Sequence, residues 1–308
     1  MNPSRREFIQ RLWQVIVAAG ASSFFSFEEL LAAPTAVNRP RVLWLHGTSC
    51  SGCSTAFLDI EQVSVVEILT EIVDLVFHPD LSLATGEQAV RILDRMASEE
   101  QGFILVLEGG IPVTLPHACM MAERPMTEWV ERLAPRAGML VAAGTCAALG
   151  GIPRMNGTLA GSMTLLEFIR HKGIEKPLVA LPNCPMKPEH LVYTLLHQIK
   201  LGRLPELDAL ARPLRFFKHT IHERCIYYAD FQERHYAERI GDEGCLLKLG
   251  CQGPVTRNDC MRFGHNHNTN TCIRAGHPCV GCASERFPRQ IMLHAHGDRR
   301  AILHEFEV

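Results

Sequence analysis

The run Cys245–Cys282, CLLKLGCQGPVTRNDCMRFGHNHNTNTCIRAGHPCVGC, gathers six of the chain's twelve cysteines. It lacks the apolar runs that build a core, and Gly, Asn, His and Pro interrupt it throughout, a loop pattern rather than a helix or strand pattern. A long irregular segment inside a compact domain needs something to restrain it. Cysteines at this density supply that restraint as disulfides, as zinc ligands or as ligands of iron–sulfur clusters. What the rest of the chain contains decides among the three.

At 308 residues there is room for two domains once a targeting segment is set aside. The 47% hydrophobic and 21% charged content suits a globular protein with a sizeable core. A formal net charge of −2 gives no basis for nucleic acid or an anionic membrane as partner. At the N-terminus, Ser4-Arg5-Arg6-Glu7-Phe8-Ile9 precedes a modest apolar run, Leu12 to Phe27. That run is too short and too polar for a good membrane span. Small residues follow at Ala32-Ala33 and Ala36, where a peptidase could cut. The order resembles a twin-arginine export signal, the type that carries proteins already folded around their cofactors. An ordinary amphipathic helix is the alternative.

From Arg41 the pattern changes. Short apolar runs at Val42–Leu45, Val73–Phe77, Phe103–Leu107, Met139–Ala143 and Leu178–Leu181 read as buried strands. Helical patterns lie between most of them, at Glu87–Met96, Met126–Leu133 and Thr164–His171, with Glu189–Ile199 after the last. Such alternation predicts βαβ units and a parallel sheet covered on both faces. The strands are followed by Cys50-Ser-Gly-Cys53, Glu108-Gly109-Gly110, Gly144-Thr145-Cys146 and Pro182-Asn183-Cys184. In an open parallel sheet the carboxyl ends of the strands share one edge, so these four cysteines converge there. A thioredoxin-like redox pair at Cys50 and Cys53 would leave Cys146 and Cys184 unexplained. A structural zinc usually draws on two close pairs, which these are not. Disulfides fit poorly with folding in a reducing compartment before export. A cluster held by four thiolates suits the set best.

Beyond Leu204 the alternation stops. Ile221-His222-Glu223-Arg224-Cys225 offers a His-x-x-Cys, and Cys245 and Cys251 follow. These three cysteines lack one ligand, which His222 can supply, since imidazole replaces thiolate in Rieske centres. Cys260, Cys272, Cys279 and Cys282 remain as a complete further set. Cys119 is left as a small apolar residue.

Taken together, these motifs resemble the small, electron-transferring subunit of [NiFe]-hydrogenases over nearly the whole chain. The matching pieces are the leader, Cys50-Ser-Gly-Cys53, Glu108-Gly-Gly-Ile-Pro112, Gly144-Thr-Cys146-Ala-Ala-Leu-Gly-Gly-Ile152 and Pro182-Asn-Cys184-Pro185. They continue with His222-x-x-Cys225, Cys245-Leu-Leu-Lys-Leu-Gly-Cys251-Gln-Gly-Pro254 and His277-Pro-Cys279-Val-Gly-Cys282. The resemblance implies an α/β fold: a flavodoxin-like parallel-sheet domain over 37–204, after a signal over 1–36. An irregular, cysteine-rich iron–sulfur domain would follow over 205–308. It implies three clusters in a line. Cys50, Cys53, Cys146 and Cys184 would hold the proximal [4Fe–4S] cluster, and His222, Cys225, Cys245 and Cys251 the distal one. The medial cluster would fall to Cys260, Cys279 and Cys282, with Cys272 as a fourth ligand. The Ni-Fe centre belongs to an obligate large subunit, so no catalytic residue is expected in this chain. A periplasmic multihaem cytochrome c or a membrane cytochrome is the implied electron partner.

Several positions depart from the family's pattern. Cys272 stands where many members have proline and a [3Fe–4S] medial cluster, which predicts [4Fe–4S] here with a lower potential. Gly52 and Gly151 stand where oxygen-tolerant members add cysteines, which predicts an air-inhibited enzyme. Ser49 and Thr55 replace flanking glutamates, and Asn183-Cys184-Pro185-Met186 replaces the usual Gly-Cys-Pro-Pro. The end, Glu305-Phe306-Glu307-Val308, has no apolar anchor. Two other classes compete with this reading: a hydrogen-sensing regulatory subunit, and a non-catalytic exported zinc or disulfide protein.

Overall fold

A computed structural model of the protein describes residues 26–32, 39–155, 159–265 and 268–288. The Arg5-Arg6 pair, the cut region at Ala33 and Ala36, and the end Glu305–Val308 lie outside them. Five strands, β1 (Arg41–His46), β2 (Asp74–Phe77), β3 (Ile104–Glu108), β4 (Met139–Ala143) and β5 (Leu178–Leu181), form one sheet. Every pairing is parallel and the order is β2-β1-β3-β4-β5, the flavodoxin-like order.

The register explains the continuous apolar runs. Leu43 lies beside Leu105, which pairs with Leu140 and that in turn with Leu178. One residue on, Trp44, Val106, Val141 and Val179 form the next row. Successive side chains point to opposite faces, so the two rows feed two separate core layers. The Trp44 layer is covered by Phe57 of helix Gly52–Leu58, by Ile68 and Ile72, and by helix Pro188–Leu201. Leu30 of helix Phe27–Ala32 joins it and is fully buried. The Leu43 layer is covered by helices Gly86–Ser98, Met126–Leu133 and Leu165–His171. Its largest member, Trp129, is fully buried and donates from Nε1 to the Met121 carbonyl at 2.7 Å. Burying a large apolar side chain stabilises by roughly 1.5–3 kcal/mol.

Expected and observed elements agree closely here. Thr164 proves to be the N-cap of its helix rather than its first residue. Its hydroxyl accepts from the Glu167 amide at 3.2 Å, and Glu167 accepts from the Thr164 amide at 2.9 Å. Beyond helix Pro188–Leu201, short helices, single turns and isolated bridges make up the rest of the described residues. A small third core forms there from Ile221, Ala237, Leu246, Met261 and Ile273, together with Cys251 and Cys279. Two of its members are thiols, so this region has little apolar mass of its own.

Candidate metal centres

The first centre grows from the carboxyl edge of the sheet, where β1 and β3 point their chains in diverging directions. After β1 the Gly47 amide donates to the Glu108 carbonyl at 2.7 Å and the Thr48 amide to that of Gly110 at 2.9 Å. The chain then turns through Ser51, at φ 57°, into helix Gly52–Leu58. Glu108, only 2% exposed, closes β3 directly against that helix's first turn. Its carboxylate accepts from the Cys53 and Ser54 amides at 3.2 and 3.0 Å and from the Ser54 hydroxyl at 2.6 Å. The Ser49 hydroxyl donates to it at 3.1 Å, and His46 Nε2 lies 3.3 Å away. Burial alone would raise the Glu108 pKa. Hydrogen bonds from His46, Ser54 and Cys53 overrule it and hold the carboxyl below its usual range.

Cys146 and Cys184 complete this group. Gly144, at φ +80°, precedes Cys146, and a Cβ there would come within 2.4 Å of Cys53 Sγ, so only glycine fits. The Thr145 amide donates to the Asn183 carbonyl at 2.9 Å, tying the β4 loop to the β5 loop. The Met186 amide donates to Cys53 Sγ at 3.3 Å. Burial pushes Cys53 well above a free thiol and Cys146 up to about 11, and neighbouring thiols add to both. Cys184 is raised by burial and then by Cys50. The four sulfurs therefore sit within electrostatic reach of one another.

A second group lines a small, partly enclosed pocket. His222, Cys225, Cys245 and Cys251 all face it. The His222 ring stands edge-on to Phe231 at 4.4 Å and Tyr228 at 5.3 Å. Burial lowers its pKa against the opposing pull of Glu223, which favours the neutral, ligating imidazole. Backbone amides of Tyr227, Gly253 and Cys279 each donate to a sulfur here at 3.4 Å, the first to Cys225 and the others to Cys251.

Cys260, Cys272, Cys279 and Cys282 form a third group. Burial raises Cys260 to about 12 and Cys282 to about 11, and raises Cys279 further. Cys272, although exposed, bears on all three of the others. This group lies between the other two. Cys279 couples to Cys251 on one side, and Cys282 to Cys184 on the other. The Cys282 thiol donates to Asn183 Oδ1 at 3.7 Å, and Thr145 Oγ1 donates to the Cys282 carbonyl.

The structure brings the ligand candidates expected from the sequence near one another along this path, and none of the twelve cysteines is in a disulfide. Cys119 stands apart, half-buried, with its thiol 3.6 Å from the His46 carbonyl. Four thiolates around one zinc, at bonds of about 2.3 Å, would sit roughly 3.8 Å apart. Among the described residues, the three side chains that bring ligand atoms within 4.8 Å of one another are His46, His78 and Asp80, not cysteines. The cysteine sets are more open, as a multi-iron cluster requires, and their sulfur-rich donors fit one. Glu108 is the functional residue that pattern reading left without a role. Its one signal is a lone acid closing an apolar strand.

Residues 217–294 match the C-terminal family model of the NiFe/NiFeSe hydrogenase small subunit. Residues 50–198 match that of the NADH ubiquinone oxidoreductase, 20 Kd subunit. The chain is 34% identical over 306 residues to the periplasmic [NiFeSe] hydrogenase small subunit of Desulfomicrobium baculatum, covering 94% of this chain and 97% of that one. It is 32% identical over 291 residues to the periplasmic [NiFe] hydrogenase small subunit 1 of Nitratidesulfovibrio vulgaris, covering 92% and 90%. Among solved structures, the Dm. baculatum [NiFeSe]-hydrogenase aligns with a TM-score of 0.76 at 35% identity, over 82% of this chain and 97% of that one. The actinobacterial-type NiFe-hydrogenase from Ralstonia eutropha H16 aligns with a TM-score of 0.77 at 28% identity, over 92% and 90%.

Proposed function

The chain belongs to the NiFe/NiFeSe hydrogenase small subunits, the electron-transfer partners in heterodimeric hydrogenases, and we propose that it relays electrons through three [4Fe–4S] clusters. What supports this reading is the order of the three donor sets, joined by the hydrogen bonds of Cys282 to Asn183, which precedes Cys184, and of the Cys279 amide to the Cys251 sulfur. In this reading Cys50, Cys53, Cys146 and Cys184 hold the cluster nearest the large subunit. Cys260, Cys272, Cys279 and Cys282 hold the middle one, and His222, Cys225, Cys245 and Cys251 the outer one.

Each cluster, when bound, supplies a one-electron site whose potential follows ligand type, burial and hydrogen bonds to sulfur. The protein's own residues set those terms. Glu108 locks the Cys50–Cys53 loop to β3, and the amides of Met186, Gly253 and Cys279 aim at thiol sulfurs. Such hydrogen bonds stabilise added negative charge. His222 stands at the turn that opens the C-terminal set, beside exposed Tyr228, which suits an exit toward an outside acceptor.

The finer organisation belongs to the same reading. Residues 1–36 act as a twin-arginine signal, 37–204 as the flavodoxin-like domain and 205–308 as the cluster domain. Export to the periplasm agrees with the relatives' names. No helix among the described residues is long and apolar enough to cross a membrane. The external partner is a periplasmic multihaem cytochrome c or a membrane cytochrome. Metal and sulfide analysis of the complex purified without oxygen tests the proposal. Iron with matching acid-labile sulfide in the small subunit supports it, and zinc without sulfide refutes it.

A further inference from the structure

Asn183 stands at the joint between the cysteines of the sheet edge and those of the middle set, and one end of its side-chain amide has no partner there. It follows β5 by one proline and immediately precedes Cys184. The residue is fully buried. Its backbone carbonyl accepts from the Thr145 amide at 2.9 Å. Its side chain reaches the C-terminal region, where Oδ1 accepts from Asn258 Nδ2 and faces the Cys282 thiol at 3.7 Å. Asn258 is also buried and lies two residues before Cys260. Two further bonds fix the same joint. Thr145 Oγ1 donates to the Cys282 carbonyl, and Lys187 Nζ meets Asp259 Oδ1 at 2.6 Å.

A side-chain amide carries two hydrogens on its nitrogen and two lone pairs on its oxygen. Both lone pairs of Asn183 are engaged, yet Nδ2, enclosed on all sides, meets no acceptor in the protein. A buried donor left in this way is rare and unfavourable. The state of Cys282 accounts for it. As a thiol, the sulfur has a proton to give and takes the oxygen end of the amide. A cysteine that ligates iron is a thiolate with no such proton. An oxygen facing it would set lone pair against lone pair. Which end of a buried amide faces a partner follows from what that partner needs, and a thiolate needs the NH2 end.

We propose that, with iron bound, Asn183 turns its amide and donates from Nδ2 to the Cys282 sulfur, and that this bond raises the potential of the middle site. The inference rests on the cluster assignment above. The two hydrogens on Nδ2 then serve the Cys282 sulfur and Asn258 Oδ1. Asn258 turns with it, at the cost of the 2.8 Å bond its oxygen takes from the Asp259 amide. Reduction places added negative charge on the sulfurs, where a donor in a poorly screened interior counts most. Main-chain amides already serve Cys53, Cys225 and Cys251 of the other two sets in this way. The fourth thiolate from Cys272 lowers the middle potential, and the Asn183 donor offsets part of that.

The test is pulsed EPR and EPR-monitored redox titration of the intact complex, grown with asparagine carrying the heavy nitrogen isotope. The parent is compared with Asn183→Leu, which keeps the size of the side chain, and with Asn183→Ala. The reduced middle site of the parent should show a nitrogen coupling that changes with the label, and both variants should lose it. Their middle potential should shift down while the outer site, held by His222, stays unmoved. The parent decides the matter even where neither variant assembles: no asparagine nitrogen coupled to its middle site overturns the inference. A middle potential unchanged or raised in a variant overturns it too and leaves the cluster reading intact. An outer potential that shifts along with the middle one does the same, since that marks a general structural change. A parent complex without reducible clusters overturns both.

Discussion

The amide of Cys279 donates to the sulfur of Cys251 at 3.4 Å, so the middle and outer donor sets share a wall. Cys279 also accepts at its carbonyl from the Gln252 amide at 2.8 Å, which makes the contact two-stranded. In the proposed relay, an electron crossing this wall would meet a peptide unit rather than a gap. Such sulfur contacts accompany only a small apolar core in the C-terminal region.

Glu108→Gln should weaken the proximal site more than its small chemical change suggests. The carboxylate takes two amides and two hydroxyls, and the glutamine amide group would face some of them with a donor. Leaving buried donors unmatched costs about 1–3 kcal/mol. A lower melting temperature of the complex and loss of the proximal EPR signal are expected. The folded pKa of Glu108 is depressed, so its stabilisation is present above the unfolded value and is lost as pH falls through the folded one. The variant should flatten the acid limb of a melting-temperature profile.

Cys272→Pro should convert the middle cluster to [3Fe–4S], with one iron fewer and a raised potential. Cys272 bears on Cys260, Cys279 and Cys282, as a shared ligand set requires. Unchanged cluster type and potential in this variant would make Cys272 a bystander.

His222→Ala should slow reduction of an external acceptor about tenfold or more, through loss or distortion of the outer cluster. Hydrogen–deuterium exchange at the large subunit should persist, because that chemistry lies at the other end of the relay. Normal acceptor reduction would remove His222 from the path.

Gly151→Cys should not graft air tolerance onto the complex. Gly151 has φ +51°, and a Cβ there would lie 3.0 Å from the nitrogen, Cα and Sγ of Cys146. Strain of this kind costs of order 1–3 kcal/mol. The parent should lose hydrogen uptake under air, and the variant should melt lower without gaining tolerance. Sustained uptake in air by the parent would contradict the account.

The strands were legible because each is an apolar run such as Met139–Ala143, buried on both faces and bounded by Gly or polar residues. Helix Gly144–Leu149 was not, since GTCAAL is short and almost wholly buried, leaving no polar face to mark a period. Helix Gly52–Leu58 begins inside the cysteine loop, and its capping acid, Glu108, comes from another strand. The candidate ligands could be picked out because thiols and His222 keep fixed local spacings in the sequence. The Lys187–Asp259 pair spans 72 residues and carries no pattern; only the fold brings it together.

The most direct test of three four-ligand sites is EPR with iron counting on the complex purified without oxygen, first oxidised and then reduced. The account predicts about twelve irons in the small subunit, apart from the large subunit's own iron, and no [3Fe–4S] signal on oxidation. About eleven irons with that signal in quantity would contradict the four-thiolate middle site, and no cluster iron would contradict the relay itself.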